Sequence, residues 1–239
     1  MNDTNTRSRL ALGLCIAAGL VLLGFVLGRS ALQVKSLERV VTVKGLAERE
    51  VPADVALWPV VFTDAANDLG ALYGSLETKT ELVVAFLRER GFADDEITVS
   101  PPSITDKLAQ QYGGNQNVAL RFAASQAVTV YTEKVDLVRL AKSEVADLGK
   151  AGIVIKGEDY ENRTEYIFTG LNEIKPAMVE EATRNAREVA EKFARDSESS
   201  VGKIKRASQG QFSINDRDQN NPHIKKVRVV STVVYYLAD

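Results

Sequence analysis

One histidine, His223, carries all the imidazole chemistry available to this chain of 239 residues. Histidine-rich metal sites are therefore excluded and a hydrolytic triad nearly so, since both need imidazole at defined places. His223 follows Pro222 at the start of the last apolar stretch, a loop position. Carboxylates are more plentiful. Asp216, Asp218 and Asn220 have the spacing of the first three ligands of a calcium loop. Asn221 stands where that loop needs glycine, and Val227 where it needs its bidentate glutamate, so a polar hairpin tip is expected instead. Two acidic runs, Asp94–Asp95–Glu96 and Glu158–Asp159 with Glu161, have the residue types for a divalent cation or for acid–base work. Aspartate is also common in turns because its side chain bonds nearby backbone, and solvated turns are the expectation for both.

Basic residues cluster as Lys203, Lys205 and Arg206, and again as Lys225, Lys226 and Arg228. On adjacent strands they would make a strip suited to anionic lipid headgroups, or a lysine-protected sheet edge. Tyr112, Phe122, Tyr160 and Tyr166 fall near loops and are candidates to line a small-molecule site, whereas Trp58, Val60 and Phe62 have the character of core or interface packing. Gly113–Gly114 lies between two strands rather than at a helix N-terminus, so it is no phosphate loop. No catalytic, cofactor or metal set is assigned. With 30 basic and 32 acidic residues the chain lacks the basic excess expected of a nucleic-acid partner. Cys15 is the single cysteine, so no internal disulfide forms.

The elements that must hold these residues begin with the uncharged run Leu10–Leu27, between Arg9 and Arg29. Its length matches a bilayer core of ~30 Å at ~1.5 Å per residue. The run is longer than a cleaved signal's apolar region and no A-x-A site follows it before Ala31. The expected organisation is a cytoplasmic tail at 1–9, a transmembrane signal anchor at 10–28, a linker at 29–38 and an extracytoplasmic domain at 39–239. Gly24 and Gly28 form a GxxxG pair for close helix approach in the membrane.

Past the linker, Arg39–Lys44 alternates with Val41 and Val43 on one face, and Gly45 marks a bulge or a close backbone approach. Val55–Thr63 is a second strand, in which Pro59 demands an edge or a bulge. Leu69, Leu72, Leu76, Val83, Phe86 and Leu87 predict an amphipathic helix stopped by Gly91. Ile97–Ile104, broken by Pro101–Pro102, and Ala119–Tyr131 form a long hairpin around the polar loop Gln110–Asn117. A second helix is predicted over Val135–Leu148, followed by strands Ile153–Lys156 and Arg163–Thr169. The longest helix spans Asn172 to about Ser199, with Ile174, Met178, Ala182, Ala186, Val189 and Phe193 as its buried stripe and Arg187 on the solvated face. Strands Gly202–Ile214 and Lys225–Tyr236 close the chain. Mostly antiparallel sheets with about three helices packed on one side is an α+β fold.

In order and spacing these segments resemble the SIMPL-domain family of bacterial envelope proteins over about Val40 to Tyr236. The opening V-T-V-K-G-L-A-E-R-E-V-P-A-D-V-A is similar to the family's first two strands, with Gly45, Pro52 and Asp54 at its marked positions and Ala47 where a second glycine is common. Phe92–Thr98, the strand Arg121–Val130, the stretch from Ala182 through Gly202–Lys203–Ile204 and the closing strand near Tyr235 continue the likeness. The resemblance implies an α+β fold, a periplasmic or surface location, association with oxidative-stress tolerance and assembly into large rings of dimers. The family has no agreed enzymatic activity, so the resemblance supplies no catalytic residue set.

The expected function is that of a membrane-anchored extracytoplasmic protein, on the bacterial inner membrane, that self-assembles into a large homo-oligomer with a structural or envelope-stress role. Its partners would be further copies of itself, membrane lipid through Leu10–Leu27 and an envelope protein of unspecified kind. Two alternatives stay open: a binding module for a small molecule, lipid or envelope protein, and an enzyme working through a carboxylate pair.

Overall fold

The structure, a computed structural model, describes residues 13, 16–30, 39–109, 119–160 and 162–238. Helix α1 covers 16–30. Fifteen residues make ~22 Å of helix. No helix among the described residues is long and apolar enough to cross a membrane. Residues 10–12, Leu14 and Cys15 of the expected anchor lie outside the described residues, as does the loop Gln110–Asn117 with Tyr112 and Gly113–Gly114, and Glu161.

The order after α1 is β1 (Val40–Pro52), β2 (Val55–Ala66), α2 (Leu69–Glu89), β3 (Ile97–Val99), β4 (Ser103–Asp106), β5 (Phe122–Thr132), α3 (Val135–Ser143), α4 (Ala146–Lys150), β6 (Val154–Ile155), β7 (Glu165–Ile167), α5 (Leu171–Asp196), β8 (Ser200–Gln209), β9 (Ser213–Asp216) and β10 (Ile224–Ala238). The fold is α+β with antiparallel sheets. Two compact units divide it. One comprises the chain up to Ala47, Ala177–Gln211 and the segment from Val229 on; the other comprises Glu48–Pro176 and Phe212–Arg228. Strands β1 and β10 and helix α5 each run from one unit into the other.

The larger unit is built on the β2–β5 pair, in register from Ala56 opposite Thr132 to Ala66 opposite Phe122. β3 and β4 add to the far side of β5, separated by the proline pair, and β7 and β6 add to the far side of β2. Pro59 thus sits inside the sheet, yet at the gap between β7, which pairs Val55–Leu57, and β6, which pairs Phe62–Thr63. A residue without an N–H fits there because the ladder has no partner on that side. Alternation puts Trp58, Val60 and Phe62 with Val128 and Val130 on one face. Leu72, Leu76, Val83, Phe86 and Leu87 of α2 cover them, with Val138, Ala141 and Leu148 from α3 and α4 in the same core. Asp68 starts α2 by accepting from the Ala71 N–H, and Gly91 ends it at φ +94°. Leu69, expected on the buried stripe, is exposed. The single helix expected over Val135–Leu148 is two. The N–H groups of Glu144, Val145 and Asp147 bond three residues back rather than four, tightening the chain between α3 and α4.

In the smaller unit β10 lies between β1 and β8, and α5 packs on one face. Gly45 does not interrupt β1; the alternation continues through it, burying Val43, Gly45 and Ala47. It is a close approach: a Cβ there would stand 1.8 Å from the Ala182 carbonyl oxygen and 2.4 Å from the Ala186 nitrogen of α5. Asn185 Nδ2 also donates to the Leu46 carbonyl at 2.8 Å. The buried stripe of α5 is Met178, Ala182, Ala186, Ala190 and Ala194, and Phe193 is 55 % exposed, against expectation. Over Gly45 the helix lies so near β1 that alanine is what fits at 182 and 186, and the larger Phe193 lies off the stripe. The one strand expected over Gly202–Ile214 is split into β8 and β9. At the break a Cβ on Gly210 would come within 2.7 Å of the Val230 oxygen.

Candidate functional site

The tips of the larger unit bring the loop before β7 against the β9–β10 hairpin. β9 pairs Asp216 with Lys225, and the hairpin tip is tied by Asp218. Its carboxylate accepts from the Asn220 and Asn221 backbone N–H groups and from Asn221 Nδ2, and pairs with Arg217 at 2.8 Å. Arg217, and then Asn221, pull the Asp218 carboxyl down to about 2. Asp216 pairs with the buried Lys225. The acids of the calcium-like spacing are thus engaged within a hairpin tip.

Two adjoining depressions of about 350 Å³ and 430 Å³ open there. Both are lined by Glu158, Tyr166, Gln219 and Pro222. The first adds Arg163, Glu165 and Lys225, and the second adds Arg139, Lys142 and His223. Glu158 pairs with Lys142 at 2.7 Å and accepts from the Thr164 hydroxyl. Burial pushes its pKa up, but those bonds outweigh it and hold the carboxyl below its ordinary value. Tyr166 is 7 % exposed, and its ring meets that of His223 edge-on at 6.1 Å. Its hydroxyl makes no hydrogen bond among the described residues and, unlike the Ser231 hydroxyl, is not buried, so it meets water in the recess. Burial and the Glu158 charge push the Tyr166 hydroxyl up. Burial, then the Arg139 cation, push the His223 imidazole down, so it is neutral at pH 7.

The recess thus gathers His223, Tyr166, Glu158, Asp216 and Lys225, which sequence reasoning considered one at a time. Of the four aromatic residues, Tyr112 lies outside the described residues, and the other three do not converge. Tyr160 is 90 % exposed, Phe122 packs at the core margin, and Tyr166 alone lines the recess. Arg139, Lys142, Arg163 and Gln219 were not singled out; only pairing of distant strands brings them together. The acidic run at 94–96 serves a turn. Asp94 pairs with Arg88 at 2.6 Å and Glu96 with Lys134 at 2.9 Å. The two basic clusters fall in different units, and each has its own strand partners. Lys225–Arg228 stand opposite β9, with Lys226 and Arg228 bridged to Glu48, whereas Ile204 and Arg206 of β8 stand opposite Tyr235 and Val234.

The profile of the SIMPL family, described as a protein of unknown function (DUF541), matches residues 41–234. The chain belongs to the SIMPL family. No curated protein matches it. The positions that carried the resemblance have structural work in this SIMPL domain. Gly45 lets α5 approach β1. Asp54 accepts from the Thr169 N–H, the Thr169 hydroxyl and the Gly170 N–H just ahead of α5, placing a carboxylate at the positive end of that helix. Gly24 and Gly28 lie on α1, and a Cβ on either would meet nothing within 4 Å.

Proposed function

We propose that this SIMPL protein is a membrane-tethered, extracytoplasmic assembly protein that associates with further copies of itself. The observation that carries this reading is β8. It is ten residues long, lies at the edge of its sheet and is exposed at every position except Val201 and Gly202. A long edge strand with free backbone groups is a template for another strand. Lys203 and Lys205 discourage indiscriminate pairing there and favour a partner that supplies acidic side chains. Apolar side chains of α1, among them Leu20, Leu22, Phe25 and Val26, are more than half exposed, which supports a tether that lipid would cover. In this arrangement the N-terminus is cytoplasmic, the domain faces the envelope and its role is structural or stress-related. Light scattering or mass photometry of the full chain in detergent tests it: a large oligomer is expected, and a monomer over a wide concentration range overturns it. Intact mass tests the tether, which loss of about thirty residues from the N-terminus would refute.

A second reading, a binding module for a small molecule, is favoured by the unpartnered Tyr166 hydroxyl in the recess beside His223.

A further inference from the structure

The charges in the recess are mostly spoken for. Lys142 is paired with Glu158, Lys225 with Asp216, and Arg139 with Asp136 at 2.9 Å. Two that line it are not. Arg163 makes no ion pair among the described residues; its guanidinium lies 5.9 Å from the centre of the Tyr160 ring. Glu165 has neither an ion pair nor a side-chain hydrogen bond among them. They stand two residues apart on either side of Thr164 and line the same 350 Å³ depression as Tyr166. Among the described residues, the groups left to meet a ligand are therefore one cation, one anion and the Tyr166 hydroxyl, which both donates and accepts.

We infer that the recess binds a small zwitterion of amino-acid or dipeptide size, its carboxylate on Arg163, its ammonium on Glu165 and a neutral polar group on the Tyr166 hydroxyl. This rests on the second reading of function and names its ligand class. Guanidinium and carboxylate meet in bidentate, charge-assisted pairs, and an ammonium has three donors for a free carboxylate. A purely anionic ligand would meet Glu165, and a purely cationic one Arg163, each unfavourably. The zwitterion alone satisfies both. The hydroxyl adds a third, neutral contact that can donate or accept and so fixes the ligand's orientation beside the two charges. The two depressions together have the volume of ordinary small-ligand sites.

The test is a nuclear magnetic resonance titration of the full chain in detergent micelles with L-alanyl-L-alanine. Its N-acetylated and C-amidated forms, inorganic phosphate and methyl glucoside are titrated in parallel. The dipeptide is expected to shift amides around Arg163–Ile167 and Gln219–Lys225 with Kd of about 1 mM or tighter. Each capped form is expected to bind about tenfold more weakly, which is ~1.4 kcal/mol. Tyr166→Phe, which removes only the hydroxyl, should weaken the dipeptide about fivefold with Tm unchanged. In Arg163→Gln the dipeptide and its amide should bind alike. Capped forms that bind as well as the zwitterion overturn the proposal. So do shifts by phosphate or methyl glucoside with none by the dipeptide, an outcome that leaves the recess a binding site. Shifts by no probe overturn both the proposal and the second reading.

Discussion

Replacing Gly45 by alanine adds one methyl group where α5 leaves no room for it. The added Cβ would lie 1.8 Å from the Ala182 oxygen and 2.4 Å from the Ala186 nitrogen, whereas ordinary contact begins near 3.4 Å. Both are backbone atoms of a helix and cannot swing aside. Relief requires α5 to recede by about 1.6 Å, the difference between 3.4 and 1.8. That lifts Ala186 and Ala190 from Val43, Val233 and Tyr235 and stretches the bond from Asn185 to the Leu46 carbonyl. Overpacking alone costs ~1–3 kcal/mol, and the forfeited contacts bring the expected loss to at least ~3 kcal/mol. The lower entropy of the unfolded alanine chain returns only ~0.4–1 kcal/mol of this. At ~2–4 °C per kcal/mol for a domain of this size, Tm should fall by ~6 °C or more in calorimetry or circular dichroism. Gly74→Ala is the matched control. Gly74 is on the exposed face of α2 with nothing within 4 Å of a Cβ, and there alanine should stabilise by ~0.5–1 kcal/mol. A Gly45→Ala protein within about 0.5 kcal/mol of the wild type would refute the close approach of α5 to β1.

Ser231 is 4 % exposed and its hydroxyl is buried without a partner, so Ser231→Ala should raise stability by ~1 kcal/mol in urea denaturation; a loss of that size would mean the hydroxyl is satisfied. Ala190→Leu should cost ~1–3 kcal/mol because Ala190 is fully buried, whereas Phe193→Ala should stay within about 1 kcal/mol; the reverse order would restore Phe193 to the buried stripe. Burial raises the Asp64 pKa, but bonds from Lys79, Ser75 and the Ala65 N–H outweigh it, and Glu96 is likewise held low against burial by Thr132, the Ala93 N–H and Lys134. Carboxyl groups lowered on folding add stability that is complete above the ordinary carboxylate range, ~4, and lost as pH falls through the folded values, so the urea midpoint should drop below about pH 4. Asp64→Asn should make that drop shallower; an unchanged slope would remove Asp64 from the linkage.

What was legible in the sequence is what large apolar side chains write with a regular period. Leu72, Leu76, Val83, Phe86 and Leu87 mark the buried face of α2, and Val128 and Val130 that of β5, because each depends on a local repeat. The helix-stopping role of Gly91 and the break at Pro101–Pro102 were legible for the same local reason. The stripe of α5 was legible at Met178, Ala182 and Ala186 but not at Ala190 and Ala194. Its contacts are alanines, which carry little hydrophobic signal, and the larger Val189 and Phe193 drew the expected stripe to one side. The glycine that dictates alanine there lies more than 130 residues earlier, in β1. The recess was illegible as a site for a related reason. Tyr166 and His223 were each visible, but their meeting depends on strand pairings between distant segments, and nothing periodic announces it.

The position of β10 has a consequence for how the chain reaches its native state. This last strand is the middle strand of its sheet, and its two halves belong to different units, Ile224–Arg228 to one and Val229 onward to the other. During synthesis β1 emerges first of the strands and then waits for its neighbour β10 while about 170 further residues are made. At ~5–20 residues per second that interval is ~10–35 s, long against the formation of any single hairpin. Neither unit is complete until β10 has emerged, and the four-stranded sheet waits for it. A chain lacking the fifteen residues of β10 would lose the centre of one sheet rather than an edge.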